Sequence, residues 1–442
     1  MTGWQTVAIE EIAAPTPNAL STGPFGSAIS SKFFRDTGVP VIRGSNLSGE
    51  LGVRLIDKRL VFIDQELADT FERSKVRQGD LVFTCWGTVD QVGLIDKRSR
   101  YSTYIISNKQ MKLTPDPSKA SSLFLYYTFS SPAFLDTIIA HAIGSSVPGF
   151  NLGQLRKMQI TLPPLSEQIA IAEVLGTLDD KIEANRKLAA TLEAMARALF
   201  KSWFVDFDPV RAKMEGRDPK LASDIAALFP DRLADSGTGD LPAGWSASKF
   251  GQFADPIMEI AKANELQGNE TYIGLEHMPR QSITLDDWGV SDGLESHKAR
   301  FRRGDTLFGK LRPYFHKVGR AMTDGVCSTD ILVLRPKLPD YASLVLMAAS
   351  SKEFVAFSDL SSTGTKMPRT NWARLADFDM PLPSHEVATA FDRLTRPLLE
   401  RIEAGVFQSK SAGFLRDRLL PKLLSGKLRI ADAERLAADA GA

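Results

Sequence analysis

The feature that most constrains this chain is an internal repeat. The stretch Leu178-Asp-Asp-Lys-Ile-Glu-Ala184 returns 220 positions later as Leu398-Leu-Glu-Arg-Ile-Glu-Ala404. At the same offset, Gly144, Pro148, Asn151, Leu155 and Pro163 return as Gly364, Pro368, Asn371, Leu375 and Pro383. Because a repeated segment is one structural unit used twice, the sequence predicts two similar modules, each followed by a related segment.

The segment after the first module is predicted to be one long helix with a coiled-coil seam. Alternating steps of four and three residues reach side chains that are nearly all apolar or small, which is typical of a coiled coil. The predicted seam residues are Ile171, Leu175, Leu178, Ile182, Asn185, Leu192 and Leu199. Asn185 is the polar member, and a single buried Asn commonly fixes the register. Pro163-Pro164 prevents an earlier helical start, and Ser166 is the expected N-cap.

The second copy of this helix has a poorer seam. Its predicted apolar members are Leu398, Ile402 and Leu419. Gly405, Ser409 and Arg416 interrupt the pattern. A helix with such a seam needs a partner, and the first helix is the simplest one. The alternative for the first helix is an amphipathic helix that lies on a single globular core.

Bulk composition is that of an ordinary globular chain. A length of 442 residues suggests about three domains, and the net charge of +1 means that any nucleic-acid surface must come from local asymmetry. The two cysteines, Cys85 and Cys327, lie far apart, so zinc is not expected and a reducing compartment fits. Since the sequence has no long apolar run and no signal-peptide pattern, we expect a cytoplasmic protein with no membrane partner.

These landmarks predict six segments that mix strands and helices. They are a first module (1–164), a long helix (165–204), a mildly acidic connector (205–240), a second module (241–383), a second long helix (384–428) and a tail (429–442). Short apolar runs such as 81–84 and 331–334 are predicted strands. Residues 123–142, interrupted near Pro132, and residues 344–356 are predicted helices.

Positive charge is concentrated in one stretch of each module. Residues 73–112 carry eight Lys and Arg against three Asp, and residues 297–320 carry eight against one. The aromatic residues interleaved with them include Trp86, Tyr101, Tyr104, Tyr314 and Phe315. Clustered basic side chains beside planar rings are expected for DNA contact. The alternative is a solvated basic face over core aromatics, and the occurrence of a patch in both repeats favours DNA.

Motifs of catalysis are missing from the sequence. It contains no G-x-x-x-x-G-K-[ST] phosphate loop and no Asn-Pro-Pro-aromatic tetrad for a methyl donor. The five histidines have no metal-ligand spacing. We therefore expect no catalytic residue and no metal in this chain.

The segment Leu162-Pro-Pro-Leu-Ser-Glu-Gln168 opens the first long helix, which continues through Asn185. With its alternation of two variable modules and two related helices, the chain resembles the specificity subunit of type I restriction–modification enzymes over essentially its whole length. The modules resemble that family only in their skeleton, at Gly79-Asp80, at the loop 144–148 and at Asn151. The second copy departs from the family at Pro383-Ser384-His385-Glu386-Val387.

The resemblance implies an α+β fold. Two similar target-recognition domains alternate with two long helices that pair as an antiparallel coiled coil, which gives the chain an approximate twofold symmetry. A helix of ~40 residues is ~60 Å long, whereas DNA half-sites one turn apart are separated by about 34–36 Å. Such a helix pair is long enough to hold two readers more than one turn apart.

The resemblance also implies a non-catalytic subunit that directs others. Each domain would read one half of a split target on double-stranded DNA. Two methyltransferase (modification) subunits would dock on the helices and methylate adenine, and motor–nuclease (restriction) subunits, two in a full complex, would join them for cleavage. S-adenosylmethionine, ATP and Mg would be bound by these partners, and no cofactor is expected in this chain.

The DNA-facing residues are predicted in and near the two basic stretches. They are Arg43, Asn46, Trp86, Thr88, Lys97 and Arg98 in the first module and Lys310, Arg312, Tyr314, His316, Lys317 and Arg320 in the second. Arg and Asn suit bidentate base contacts, whereas Lys mainly holds phosphate. Three alternatives stay open: a specificity subunit of a related type II or methylation-only system, a fused modification or nuclease enzyme, and a coiled-coil scaffold without DNA function.

Overall fold

The computed structural model describes residues 3–141, 148–237, 239–360, 362 and 367–439. They form two compact units, Met1–Ile182 with Lys410–Ala442, and Glu183–Ser409. Each unit contains one module and part of each long helix, so the units divide the chain differently from the predicted domains, whose limits stay predictions. The repeat positions Gly144 and Gly364, and the rest of the predicted loop 144–147, lie outside the described residues.

The first module is built from two four-stranded sheets and a strand pair. Its strands are β1 (Gln5–Ala8), β2 (Leu20–Thr22), β3 (Val39–Ile42), β4 (Val61–Ile63), β5 (Lys75–Arg77), β6 (Leu81–Thr84), β7 (Val92–Leu94), β8 (Thr103–Ile106), β9 (Gln110–Leu113) and β10 (Gln159–Leu162). Its helices are α1 (Gln65–Asp69), α2 (Ser122–Phe129), α3 (Pro132–His141) and α4 (Leu152–Lys157). The strand orders are β2-β9-β6-β7 and β4-β3-β8-β5, and β1 pairs with β10.

Helix α5 (Leu165–Phe204) follows as one uninterrupted helix of 40 residues. The prediction of Ser166 as its N-cap is wrong, because the amides of Glu167 and Gln168 already bond to the carbonyl of Pro164. The signature segment ties the helix to the module instead. The buried Gln168 side chain accepts from the Ser121 amide at 3.0 Å and donates to the Pro163 carbonyl at 2.8 Å.

The connector contains α6 (Asp208–Met214), α7 (Ser223–Ala226) and a hairpin of β11 (Leu233–Asp235) and β12 (Asp240–Pro242). The second module then has β13 (Ser246–Lys249), β14 (Ala254–Ile257), β15 (Ile260–Ala261), β16 (Thr271–Ile273), β17 (Gly289–Val290), β18 (Lys298–Phe301), β19 (Thr306–Gly309), β20 (Val318–Arg320), β21 (Gly325–Ser328), β22 (Ile331–Pro336) and β23 (Asp379–Leu382). Its helices are α8 (Ala342–Ala349), α9 (Lys352–Leu360) and α10 (Trp372–Ala376).

The second module repeats the sheets of the first. The order β14-β22-β19-β20 matches β2-β9-β6-β7, and β17-β16-β21-β18 matches β4-β3-β8-β5 with β15 added at one edge. Even the single parallel neighbours recur, as β3 with β8 and β16 with β21. The helix predicted over 344–356 is two helices, because the hydroxyl of Ser351 accepts from the Phe354 amide and starts a new helix.

Helix α11 (His385–Leu424) pairs with α5, and α12 (Ile430–Asp439) follows it. Within the second unit, Asn185 lies beside Ser409 at 3.3 Å, while Phe204, further along α5, packs on Phe391, near the start of α11. The helices therefore run antiparallel. The predicted α+β fold with an antiparallel helix pair is confirmed.

The polar positions of the second seam find polar partners on the first. Ser409 bonds to Asn185 in one unit, and Arg416 lies 2.7 Å from Asp179 in the other. The predicted seam residues Ile171, Leu175, Leu178, Asn185, Ile402 and Leu419 are buried, and Ile182, Leu192, Leu199 and Leu398 are partly buried against the cores.

No single helix among the described residues is long and apolar enough to cross a membrane. Helices α2 and α3 pass that test only together, across a bend of 66°. Both contribute buried side chains, such as Phe129 and Ile138, to the core of the first unit.

Candidate nucleic-acid interface

We call the sheet β2-β9-β6-β7 the main sheet of the first module and the sheet β14-β22-β19-β20 the main sheet of the second. Each main sheet has a loop at the same end. These are the first tip loop (85–91, between β6 and β7) and the second tip loop (310–317, between β19 and β20). A later segment of each module, which we call the returning segment, forms backbone hydrogen bonds with the loop; it comprises residues 148–150 in the first module and 368–370 in the second. Gly87 donates its amide to the Pro148 carbonyl at 3.0 Å, and Arg312 donates its amide to the Pro368 carbonyl at 2.8 Å. The repeated prolines therefore mark equivalent places in the two modules.

The two loops place different residues at the equivalent backbone position. Gly87 has φ +86° and Arg312 has φ +51°. Glycine adopts this left-handed conformation at little cost, whereas another L-residue pays roughly 1–2 kcal/mol. Backbone strain of this kind clusters at binding sites. The second tip loop therefore holds an arginine in a conformation that the fold imposes.

An open depression of about 590 Å³ lies beside the first tip loop. Three predicted residues, Arg43, Trp86 and Thr88, line it. The Trp86 ring is 52% exposed, and a Cβ on Gly149 would lie 2.6 Å from that ring, so the glycine lets the ring lie on the returning segment. The other lining residues are Ile29, Phe34, Gly44, Ser45, Thr84, Gly87, Gln91, Ser107, Asn108, Lys109 and Gln110.

Unpaired polar groups lie at the wall and floor of this depression. Arg43 Nε and Gln110 Nε2 are buried and have no hydrogen-bond partner among the described residues. In the second module the same is true of Arg312 Nε, in the second tip loop, and of Thr370 Oγ1, in the segment whose backbone bonds to that loop. Buried donors without partners are costly. Their occurrence beside both loops is consistent with surfaces that a polar ligand completes.

The remaining predicted residues of the first module are placed elsewhere. Asn46 is 1% exposed and bonds to the carbonyl of Ile56 at 3.1 Å. Arg98 forms an ion pair with Asp180 at the side of α5, and Lys97 is exposed. The structure does not bring these three into the depression.

The exposed part of the second tip loop is aromatic. Tyr314 is 51% exposed and packs edge-on against Phe315. Two guanidinium groups, of Arg280 and Arg312, lie 4.0 Å and 5.8 Å from the Phe315 ring centre, which is within the range of cation–π contact. Lys310 is half-buried beside them. Arg280 has no signal in the sequence, because it reaches this loop only through the fold.

The other predicted residues of the second loop bond within the protein. His316 is buried and donates from Nε2 to the Ser350 carbonyl at 3.0 Å. Lys317 donates to the Leu275 carbonyl, and burial lowers the pKa of its ammonium group. Arg320 pairs with Glu403 of α11 at 2.5 Å. These three side chains hold the loop in place, so they are less available to a ligand than Arg312 or Tyr314.

The described residues show no cluster of His, Cys, Asp and Glu that could hold a metal ion. Both cysteines are free and buried. Burial raises the pKa of the Cys85 thiol to about 11 and that of Cys327 to about 12, so both stay protonated near neutral pH. Neither has the properties of a thiolate nucleophile or metal ligand.

Comparison with known proteins gives a consistent set of matches. Residues 1–194 match the family described as Type I restriction modification DNA specificity domain. A protein of Haemophilus influenzae named Type I restriction enzyme HindI specificity subunit is 26% identical over 374 residues, covering 74% of this chain and 81% of its own length. The MjaIX specificity subunit of Methanocaldococcus jannaschii is 24% identical over 332 residues, covering 70% and 69%.

One solved structure shares the fold over nearly the whole chain. The S subunit of a type I restriction-modification system from M. genitalium superposes with a TM-score of 0.55 at 14% identity and covers 95% of this chain and 96% of that chain. At this identity the likeness concerns the fold alone.

Proposed function

We propose that this chain, which resembles the specificity subunits of type I restriction–modification enzymes, reads a split sequence on double-stranded DNA. The observation that carries the proposal is the repetition of one module with one type of surface. In both modules a strand ends in a loop with an exposed aromatic ring, a nearby guanidinium group and buried donors without partners. One module would read each half of the target.

The two surfaces have the parts that base and phosphate contacts need. Arginine side chains can form paired hydrogen bonds with base edges, and lysines can hold phosphates. Arg43 and Lys109 supply these groups beside the first tip loop, and Arg312 and Lys310 supply them at the second. Since the modules share their topology but differ in these side chains, we expect the two half-sites to differ in sequence.

The chain is proposed to act through partners rather than by catalysis. The matched relatives are named specificity subunits, and the described residues offer no activated nucleophile or metal cluster. Methyltransferase subunits would supply S-adenosylmethionine chemistry on adenine, and motor–nuclease subunits would use ATP and Mg. The whole complex would work in the cytoplasm, where the cell's own DNA and incoming DNA meet.

The test is a methylome measurement. The chain is co-expressed with the methyltransferase subunit of its own source in a host without other adenine methylation, and methylated adenines are located by sequencing. The expected result is one split motif that is methylated throughout the genome. Expression of the methyltransferase alone is the control and should leave the genome unmodified. Methylation without a motif, or none together with no sequence-specific gel shift, contradicts the proposal.

A further inference from the structure

Each module exposes a large apolar side chain just after the first strand of its main sheet. Phe25 follows β2 and is 74% exposed, and Met258 follows β14 and is 83% exposed. A single exposed apolar residue is ordinary on a protein surface. The two residues are of interest because of where they lie in their modules.

Strand register places both residues beside the tip loops. Strands β2 and β6 both run antiparallel to β9, since Thr22 and Phe83 are both opposite Met111. Both strands therefore end at the same end of the sheet, with Phe25 beyond one and the first tip loop beyond the other. In the second module β14 and β19 run antiparallel to β22. Met258 and the second tip loop consequently share an end of that sheet as well.

The loop that carries Phe25 is fixed to the edge of the depression. The Gly23 amide donates to the Gln110 carbonyl at 3.0 Å, and Asn108 donates to the Gly26 carbonyl at 3.2 Å. A Cβ at position 23 would lie only 1.9 Å from the Ser107 carbonyl oxygen, so glycine permits this close approach. Phe25 therefore projects from a well-anchored turn.

A cationic group accompanies the exposed ring. The Arg73 guanidinium carbon lies 5.4 Å from the centre of the Phe25 ring. Proteins that deform DNA insert Phe, Leu, Ile, Met or Pro side chains between neighbouring base pairs, while nearby cations neutralise phosphates. Phe25 with Arg73 matches that combination. Met258 has an acidic neighbour, Glu259, which lies 4.0 Å from Arg300, so its effect should be the smaller of the two.

We propose that Phe25, and to a lesser extent Met258, are wedge residues that partly unstack one base step in the half-site read by their own module. The inference rests on the proposed DNA-reading function. It adds that specificity includes a deformation energy, which depends on the sequence of a step that forms no hydrogen bond with the protein.

The test uses the complex of the full chain with its methyltransferase and a duplex that carries the methylated motif. Adenines of the half-site read by the first module are replaced one at a time by the fluorescent base 2-aminopurine. The adenine that is methylated is left unchanged, because its extrusion by the methyltransferase would raise fluorescence independently. We expect a several-fold rise at one step with the wild type, loss of the rise with Phe25→Ala, and partial recovery with Phe25→Leu.

Affinity provides the second measurement. Phe25→Ala should bind the motif roughly tenfold to a hundredfold more weakly, as when a ring that stacks on a base is removed. The salt dependence of binding should not change, because no phosphate contact is lost. Met214→Ala is the matched control, since Met214 is 51% exposed on α6, and it should alter neither measurement. Thermal melting of each variant verifies its fold.

The outcomes separate this inference from the proposed function. If the wild type methylates its motif but shows no fluorescence rise, or if Phe25→Ala behaves like the wild type, the wedge is refuted and the reader function stands. If Phe25→Ala fails to bind the methyltransferase without DNA, Phe25 contacts a protein and the wedge is again refuted. A wild-type complex that selects no motif refutes both proposals.

Discussion

The two units hold their modules on the long helices with different ionic contacts. In the first unit the Asp179 carboxylate of α5 lies 2.7 Å from Arg416 of α11 and 3.8 Å from Arg54 of the module. These three residues are between 2% and 7% exposed. The Tyr127 hydroxyl donates to the same carboxylate. Burial raises the pKa of Tyr127 well above its usual value, so the hydroxyl stays a donor.

The second unit uses carboxylates from both helices. Glu403 of α11 pairs with Arg303 at 2.6 Å and with Arg320 at 2.5 Å, and the Arg303 side chain is 60% exposed. Glu193 of α5 accepts from the Ile283 amide at 3.1 Å and from the Ser282 hydroxyl at 2.9 Å. These contacts use two carboxylates, whereas in the first unit Asp179 alone joins Arg54, Arg416 and Tyr127, with the separate pair of Arg98 and Asp180 nearby on α5.

The difference shows that the two repeats share a fold but not the ionic contacts that attach each module to the long helices. Leu399 stands 220 positions after Asp179, and Ala196 stands 220 positions before Arg416. Neither member of the first buried pair therefore has an ionic counterpart in the repeat. Breaking a buried pair leaves an uncompensated charge, whereas a pair that is partly exposed is worth little. We therefore expect the stability of the first unit to depend more strongly on Asp179 than the stability of the second unit depends on Glu403.

The largest expected effect comes from charge in the helix seam of the first unit. Leu178 is fully buried, and Ile182 packs on the same core. Replacing both with Asp should cost more than about 5 kcal/mol, since a buried unpaired charge costs several kcal/mol. We expect loss of the unfolding transition of the first unit by circular dichroism and loss of methyltransferase binding. Thr177→Asp, at an exposed position of α5 in the same unit, is the control and should melt like the wild type.

Substitution of the carboxylates that attach each module to the helices should give the next largest effect. Asp179→Asn should destabilise the first unit by up to about 3–5 kcal/mol, because the buried Arg416 then keeps only the exposed Asp417 as a countercharge, and Arg54 keeps only Asp96. Glu403→Gln should cost about 1–3 kcal/mol, since one of its partners reaches water and the amide can still accept a hydrogen bond. Urea unfolding of each variant measures both values. Equal losses would contradict the distinction drawn between the two units.

The sequence predicted the parts that depend on periodicity and repetition. The seam of α5 and the strands at 81–84 and 331–334 are set by local patterns, and the structure has helices and strands there. Charge counts alone could not show which cations bind DNA. Arg320 finds Glu403 at a separation of 83 positions, and only the fold brings them together. Gln91, the last residue of the first tip loop, and Gln110, the first residue of β9, both line the depression, which no local pattern indicates.

The substitution Arg312→Ala tests whether the arginine of the second tip loop reads a base. Because Arg312 stands where the first module has Gly87, the substitution removes a guanidinium group that the first loop lacks. If Arg312 reads a base, binding should weaken by about 1–3 kcal/mol and specificity should relax in one half of the motif only. Motif sequencing of the methylated genome measures this. Arg320→Ala is the control, because its partner Glu403 gives it a structural role that should affect melting but not the motif. A uniform loss on all sequences would assign Arg312 to phosphate.

The smallest expected effect is the pH dependence that His316 gives to the second unit. His316 is buried beside Ser350, and the charged groups around it are Glu193, Arg197 and Lys352. Burial lowers the pKa of His316 below its ordinary value of 6.5. Above pH 6.5 the imidazole of residue 316 is neutral in both the folded and the unfolded chain, so its titration does not lower the stability. As pH falls below it, the unfolded imidazole takes a proton that the folded one resists, and stability declines.

The first tip loop contains no histidine, so the effect should be confined to the transition of the second unit. His316→Gln keeps a donor that can reach the Ser350 carbonyl and removes the titrating group. The variant should therefore lose less stability than the wild type between pH 7 and pH 5, as measured by urea midpoints. A parallel decline in both proteins would show that other groups cause the acid sensitivity, because the only intended difference between them is whether residue 316 can take up a proton in the unfolded chain.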